Sequence, residues 1–518
     1  MIPLLVVLPI TFAFIGMLLT AFDHLKRYVK VAFLAGIFSP WSIFLLNLSD
    51  YPVEEVVGGW SRISGIEIGM GMINHYFLLS SLIVFSAVGV YSLFYFDGNK
   101  SRREHSGLTS YIPIFPLILL LYGGILGSFI SRDLFNFYIY MEIASISSII
   151  LVGYSNEKGA KFASYRYLML FFLSSFFFIF TIGIIYMNTG SLNFEVISEN
   201  LTMTTEVKVA ISIAFVSFIT KAGIFPLHYW LPEAHSKADS PVSALLSGVT
   251  VKVPIFGMIL FLEFTDIGFL VTPLMIVAFS SILFGIAMAL MQNNIKKLLA
   301  YHTVSQMGYV LLGIASLNLF TAAHYAFAHT LFKSGLFLGA GVLITRYGTK
   351  DLDVISCRDN KLLMVSMTIL TLAIGGISPL IGAFGKHEIL SSLSGFGVYL
   401  FYAGTIGTLV SFIKLDYKIF EFKGWKKFAP DADEIIVFIM AVLTIAFGIY
   451  FYPKLNYLDI VLITIAFLIF FAFKYIGLFK KKVPRYFSMD TKGLGGEINL
   501  YTTIFVLINI SVLFFVLY

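Results

Sequence analysis

Long apolar stretches alternate with short polar or glycine- and proline-bearing breaks along almost the whole chain of 518 residues. The stretches fall at 2–20, 28–48, 72–96, 111–130, 132–153, 164–187, 207–224, 243–262, 269–290, 301–316, 320–345, 362–378, 393–413, 433–451, 455–478 and 500–518. A helix crosses the hydrocarbon core of a bilayer in about 20 mainly apolar residues, and most of these stretches are near that length. None shows the strict alternation over ~10 residues that marks a membrane β-strand. The pattern predicts an all-α polytopic membrane protein of 14–16 transmembrane helices.

Composition narrows the function. Charged residues make up 12% of the chain and hydrophobic ones 58%, against about 25% charged in soluble domains. A soluble enzyme and a nucleic-acid binder are excluded. The single cysteine, Cys357, rules out a disulfide framework, a Cys-ligated iron–sulfur cluster and a structural zinc site. No P-loop, dinucleotide fingerprint or HExxH motif occurs, so no cofactor is expected on this chain. Whether it counts as part of an enzyme stays open, because any redox or bond-making chemistry would belong to other subunits. The N-terminus runs directly into an apolar stretch and reads as a retained first helix.

The positions of the basic residues set an orientation. Of the 35 Lys and Arg, 27 fall in odd-numbered connections between spans, among them Lys296 and Lys414, and 4 in even-numbered ones. By the positive-inside rule the odd connections are cytoplasmic and both termini lie outside. Four lysines remain, each inside or beside an apolar span: Lys221, Lys252, Lys333 and Lys386.

A charge at mid-bilayer costs about 2.5–3.5 kcal/mol on insertion scales. One such lysine can snorkel to an interface; a set of four, joined by the carboxylate of Glu142 in NFYIYMEIASISS, calls for a function. Histidines extend the set. His324, His329 and Lys333 share one span, with His329 and Lys333 four apart on one face, and His302 opens the preceding span. These are the residue types that proton transfer needs. Burial brings a lysine amine toward neutrality, histidine is there already, and a nearby carboxylate favours the charged amine.

Two spans, the seventh and twelfth, carry proline breaks at Pro226 and Pro379. Proline removes a backbone donor and frees carbonyls, which is tolerated at membrane depth where the helix lines a polar cavity. The flanking residues match, Gly223-Ile-Phe-Pro-Leu227 against Gly376-Ile-Ser-Pro-Leu380. Five spans separate them, so the copies run in opposite senses, as in an inverted repeat. A rival match, Lys221-Ala-Gly-Ile-Phe against Lys333-Ser-Gly-Leu-Phe, lies four spans apart and implies a parallel one.

With these residues in hand, the chain resembles the antiporter-like subunits shared by respiratory complex I, membrane-bound hydrogenases and multisubunit Na⁺/H⁺ antiporters. DLFNFYIYMEIASISS, KAGIFPLHYWLPEAHSKADSPVSALLSG, LLAYHTVSQMGYVLLG, HYAFAHTLFKSGLFLGAG and SPLIGAFGKHEIL carry the resemblance. It implies two inverted five-helix half-channels at 111–262 and 269–425, preceded by helices at 1–110 and followed by helices at 430–518. It also implies roles for the buried groups: Glu142 and Lys221 as the input pair, Lys252, His302, His324, His329 and Lys333 as a central relay, and Lys386 at the exit. SALLSGVTVKVPIF, with Ser247 where complex I subunits often place a histidine, is similar to the hydrogenase and multisubunit-antiporter branch.

The expectation is an ion-translocating subunit in a prokaryotic cell membrane, moving H⁺ with possible exchange for Na⁺. Its partners would be further membrane subunits and peripheral redox subunits of a hydrogenase-like complex, the latter holding iron–sulfur clusters. The alternatives are a subunit of a multisubunit Na⁺/H⁺ antiporter without a redox partner, a stand-alone secondary solute transporter, and a scaffold that has lost transport. The solute transporter needs converging polar groups around a cavity, whereas the buried ionisable groups here are spread like a chain.

Overall fold

The computed structural model describes residues 1–48, 52–62, 65–98, 114–421, 423, 432–480, 503 and 507. In chain order the helices are α1 (Leu4–Ala21), α2 (Val29–Leu46), α3 (Met72–Gly98), α4 (Ile114–Ile130), α5 (Leu134–Gly153), α6 (Ala160–Thr189), α7 (Phe194–Asn200), α8 (Thr205–Lys221), α9 (Trp230–Lys237) and α10 (Ser240–Leu245). They continue with α11 (Lys252–Phe264), α12 (Val271–Leu290), α13 (Ile295–Ala315), α14 (Leu319–Tyr347), α15 (Lys361–Gly375), α16 (Ile381–Ser391), α17 (Phe396–Phe420), α18 (Ala432–Phe451) and α19 (Tyr457–Tyr475). Among the described residues twelve spans are long and apolar enough to cross a membrane, and α4 and α15 are shorter apolar helices. This is a multi-pass membrane protein with an all-α spanning region. The expected last span, 500–518, lies outside the described residues except for two isolated positions.

Helix starts are written into the sequence. Asn294, Asn318, Asn360 and Asn456 each accept backbone N–H groups of the following first turn, opening α13, α14, α15 and α19. An asparagine at this position satisfies donors that the helix itself leaves unpaired.

Two compact units divide the described chain. The first holds Met1–Ala222 and Val249–Val271, where α4 packs on α1 and α5, and α6 packs on α5 and α8. One small hairpin stands outside the spans: β1 (Val53–Val57) pairs antiparallel with β2 (Ile66–Met70), Val53 opposite Met70. Glu67 on β2 is 1% exposed, met by Arg62 at 2.8 Å and by the Asn193 side-chain amide at 2.6 Å. A buried carboxylate is stable only with such partners, and this one ties the hairpin to the N-terminus of α7.

The second unit holds Gly223–Gly248 and the described residues from Thr272 onward to Lys480. Here α14 packs against α10, α13, α15, α16 and α18. The spans differ sharply in enclosure. Ser240–Phe264, Ile295–Ala315 and Leu319–Tyr347 are each 94% buried, whereas Tyr457–Tyr475 is 11% buried. The three enclosed spans carry Lys252, His302, His324, His329 and Lys333. A helix that holds ionisable groups at membrane depth hides them from the acyl chains.

Candidate functional site

In the first unit, α5 and α8 bring the predicted pair together. Glu142 Oε1 accepts a hydrogen bond from Lys221 Nζ at 2.8 Å, and Ser175 Oγ on α6 donates to the same oxygen at 2.7 Å. Lys221 Nζ also lies 3.4 Å from Ser145 Oγ and 4.6 Å from the centre of the Phe171 ring. The lysine side chain is 1% exposed and the glutamate 22%. The arrangement follows from local sequence. Glu142 and Ser145 are three apart and share one face of α5, while Lys221 is the last residue of α8, just before the break. Lys252 is 1% exposed and opens α11 directly after a π-helical turn at Leu246–Thr250, a local widening that recurs at functional sites.

The second unit holds the remaining predicted groups. His302 Nε2 pairs with Ser411 Oγ of α17 at 2.7 Å, and its ring lies against Phe412. Lys333 Nζ donates to Leu299 O of α13 at 2.5 Å. His324 Nδ1 pairs with Glu388 Oε2 of α16 at 2.8 Å. His329 is fully buried, one turn before Lys333 on α14. Lys386 Nζ donates to Gly375 O at 3.0 Å, the last residue of α15, where a cation meets the negative end of the helix dipole. His302, Lys333 and Lys386 thus hydrogen-bond to groups outside the predicted set. The charges of Lys333 and Lys386 nevertheless lie within electrostatic range of His302, so a proton moving among these three needs intervening water.

Both proline breaks are present. Pro226 lies between α8 and α9 and Pro379 between α15 and α16, each after a cis peptide bond. Each break begins with a glycine in the left-handed region, Gly223 at φ 66° and Gly376 at φ 82°, a conformation that other residues resist. At Gly376 a side chain is excluded twice over, since a Cβ there would come within 2.6 Å of Lys386 Cδ.

Three sequence readings need correction. His302 does not open its helix, because α13 begins at Ile295 and not near 301. Lys296 and Lys414, counted among the charges of connections, are 2% and 3% exposed. Lys296 Nζ donates to Ala238 O at 2.7 Å, just past the end of α9, and Lys414 Nζ to Leu290 O and Gln292 O at 2.7 Å each, at the end of α12. The unpaired carbonyls of helix ends hold both amines inside the protein. Sequence reading also passed over Glu388, although it lies two residues after Lys386. Lys414 lies inside the helix because α17 runs on to Phe420, seven residues past the expected end at 413.

A family model described as NADH:quinone oxidoreductase/Mrp antiporter, TM, matches residues 131–413. The chain is 31% identical over 373 residues to NADH-quinone oxidoreductase subunit N of Desulforudis audaxviator (strain MP104C), covering 68% of this chain and 71% of that protein. It is 29% identical over 444 residues to one of the subunits of the Na(+)/H(+) antiporter of Alkalihalophilus pseudofirmus, covering 82% and 88%. Among solved structures, a chain of the Mrp complex from Dietzia sp. DQ12-45-1b superposes with a TM-score of 0.77 at 20% identity, covering 92% of this chain and 99% of that one. A chain of the membrane-bound sulfane sulfur reductase, an archaeal respiratory membrane complex, superposes with a TM-score of 0.77 at 23% identity, covering 87% and 95%. At these identities the likeness to both structures is one of fold. The family match runs from before Glu142 to beyond Lys386 and takes in both proline breaks, so this chain belongs to the NADH:quinone oxidoreductase/Mrp antiporter membrane family.

Proposed function

We propose that this chain is the ion-translocating subunit of a multisubunit membrane assembly and that it moves protons by way of its buried amines. The observation that carries the reading is Lys221, enclosed to 1% exposure with its amine 2.8 Å from the Glu142 carboxylate. A carboxylate at this distance favours the ammonium, and its withdrawal favours proton release. Ser175 gives the same Glu142 oxygen a second partner, so the carboxylate can leave the amine without being stranded. The pair is a gate worked by electrostatics. In the second unit His302, His324, His329, Lys333 and Lys386 supply further proton-handling groups.

Exchange of H⁺ for Na⁺ is the form of transport we favour, because two relatives are named as subunits of an Na(+)/H(+) antiporter. Its partners are other membrane subunits, as in the complexes whose fold it shares. A redox-driven assembly is the second reading, favoured by the 31% identity to an NADH-quinone oxidoreductase subunit. Purification separates the two, since iron and acid-labile sulfide accompany the chain only if iron–sulfur subunits are bound. The excess of basic residues in odd connections supports both termini lying outside, which labelling of terminal cysteines tests.

The decisive experiment replaces Lys221 and Lys333 singly by alanine in the assembled complex and follows ΔpH formation in vesicles. The expected result is at least a tenfold loss of transport in each variant (more than about 1.4 kcal/mol in the rate-limiting barrier) with assembly intact. Undiminished transport in both variants overturns the reading and leaves a scaffold or a solute carrier.

A further inference from the structure

Beside Lys386 the second unit contains a cavity of ≈ 50 Å³. One water needs roughly 10–15 Å³ of such space together with polar partners, so a short string of waters fits. Buried Lys386, Thr405 and Asp459 line it, together with half-buried Tyr402 and Asn456 and the exposed His387. The cavity therefore runs from groups that meet the surroundings to a buried amine.

Asp459 is the unexpected member. It lies on α19, beyond the residues 131–413 that the family model matches, and it is 9% exposed. Its Oδ2 accepts from Ser378 N–H at 2.8 Å and from the Ser378 hydroxyl. Ser378 directly precedes Pro379 in the break, and its Oγ in turn accepts from Asn456 N–H at 3.0 Å. One carboxylate thus lines the cavity and anchors the break. The other end of that break, Gly375 O, holds the Lys386 amine.

The neighbours of Lys386 leave Asp459 a particular place. His387 and Glu388 share its helix. Tyr309 and His302 of α13, Tyr325 and His324 of α14, Tyr402 of α17 and Tyr452 just past the end of α18 are the titratable groups nearest it on the packed elements, with the amines of Lys333 on α14 and Lys414 on α17 beyond His302. Tyrosines carry no charge near neutral pH. Glu388 is occupied by His324 at 2.8 Å. Among the described residues Asp459, which lines the same cavity and acts on Lys386 electrostatically, is the carboxylate left to it.

We propose that the cavity is an aqueous vestibule for Lys386 and that Asp459 is its positioning residue, anchoring the helix break and supplying the counter-charge against which the amine takes up a proton from water. His387 stands at the rim, where protons enter or leave. The proposal rests on the reading of Lys386 as a transport group, and the experiment keeps the two apart.

Asp459→Asn retains an oxygen that accepts from Ser378 while removing the charge. The assembled complex is expected to form, with the pH profile of its transport displaced toward acid by about one unit, and Asp459→Glu is expected to restore the wild-type profile. Leu462→Trp fills the cavity from its half-buried wall without touching the break, and at least a tenfold fall in transport is expected. A wild-type pH profile in Asp459→Asn, or a wild-type rate in Leu462→Trp, overturns the proposal. Should Asp459→Asn fail to assemble, Leu462→Trp decides alone. Lys386→Ala is the reference. If it transports normally, the role of Lys386 and the proposal fall together; if it is inactive while the other variants behave as wild type, only the proposal falls.

Discussion

Lys221 in the first unit and Lys333 in the second are both buried lysines on long apolar helices, and their surroundings differ in kind. Lys221 meets a carboxylate at 2.8 Å, a serine hydroxyl and a phenylalanine ring. Lys333 meets a backbone carbonyl, Leu299 O, at 2.5 Å and the Phe337 ring at 5.8 Å, and among the described residues it forms no ion pair. A carboxylate rewards the ammonium form. A carbonyl accepts a hydrogen bond from the amine in either protonation state. Glu142, moreover, keeps a second partner in Ser175, whereas the Leu299 carbonyl is fixed in its helix. On the proposed reading the first site would act as the gate and the second would pass a proton on.

Removing partners one at a time should break this contrast most visibly. Glu142→Ala leaves an unpaired ammonium in the protein interior, a change that costs about 3–5 kcal/mol. Lys333→Met removes an amine that has no ion-pair partner among the described residues and fills the space with a similar apolar chain, so its cost is expected to stay below about 1.5 kcal/mol. Thermal melting of the purified complex measures both. Equal losses would show that the two amines carry the same charge state, and the distinction between gate and relay would go.

The two proline breaks offer a smaller test of the same contrast. Gly376→Ala forces a left-handed backbone on alanine, at about 1–2 kcal/mol, and drives a methyl into the Lys386 stem. Gly223→Ala carries the same backbone cost, but its nearest neighbour is the Leu231 side chain at 3.1 Å. Transport is expected to fall several-fold more in Gly376→Ala than in Gly223→Ala, while melting temperatures move by similar amounts. A weaker effect again is expected at the partly exposed pair His324–Glu388, where Glu388→Gln keeps an acceptor for the ring. A two- to threefold loss of transport is the expected outcome, in line with the modest net worth of a single hydrogen bond, about 0.5–1.5 kcal/mol.

The spans were legible because hydropathy is a property of neighbouring residues, and each expected stretch from 2–20 to 455–478 overlaps a described helix. The glycine–proline breaks were legible for the same reason, since proline and glycine act on their own backbone. Partnerships were not. Glu142 and Lys221 are 79 residues apart, and buried charge alone told only that each needed company. Asp459 was invisible because it lies at the start of a helix, where an acidic residue needs no explanation beyond the dipole. Lys296 and Lys414 were misplaced because a basic residue near the end of a span reads as solvated, while the structure shows it caring for another helix's last carbonyls. The hairpin at Val53–Met70 is too short, and too mixed in its pattern, to stand out between two apolar spans.

An exposed ion pair supplies the control for the buried one. Lys418 donates a hydrogen bond to Asp353 in the loop that follows α14, with the aspartate side chain 53% exposed. This hydrogen bond, helped by one from Asn293, holds the Asp353 carboxyl below the usual carboxylate range. A carboxyl whose affinity for protons falls on folding stabilises the fold above its unfolded pKa, near ~3.9, and loses that contribution as pH falls through its folded value. Asp353→Asn is therefore expected to cost less than about 1 kcal/mol of stability at pH 7, read as a slightly lower melting temperature, and to match the wild type at the acid end of the range. Added salt should shrink the difference at pH 7, because solvent ions screen an exposed pair. The cost of Glu142→Ala should resist the same salt, because ions do not reach an amine only 1% exposed. If salt erased both differences alike, the Lys221–Glu142 pair would be in contact with bulk water, and its carboxylate would have no power to gate.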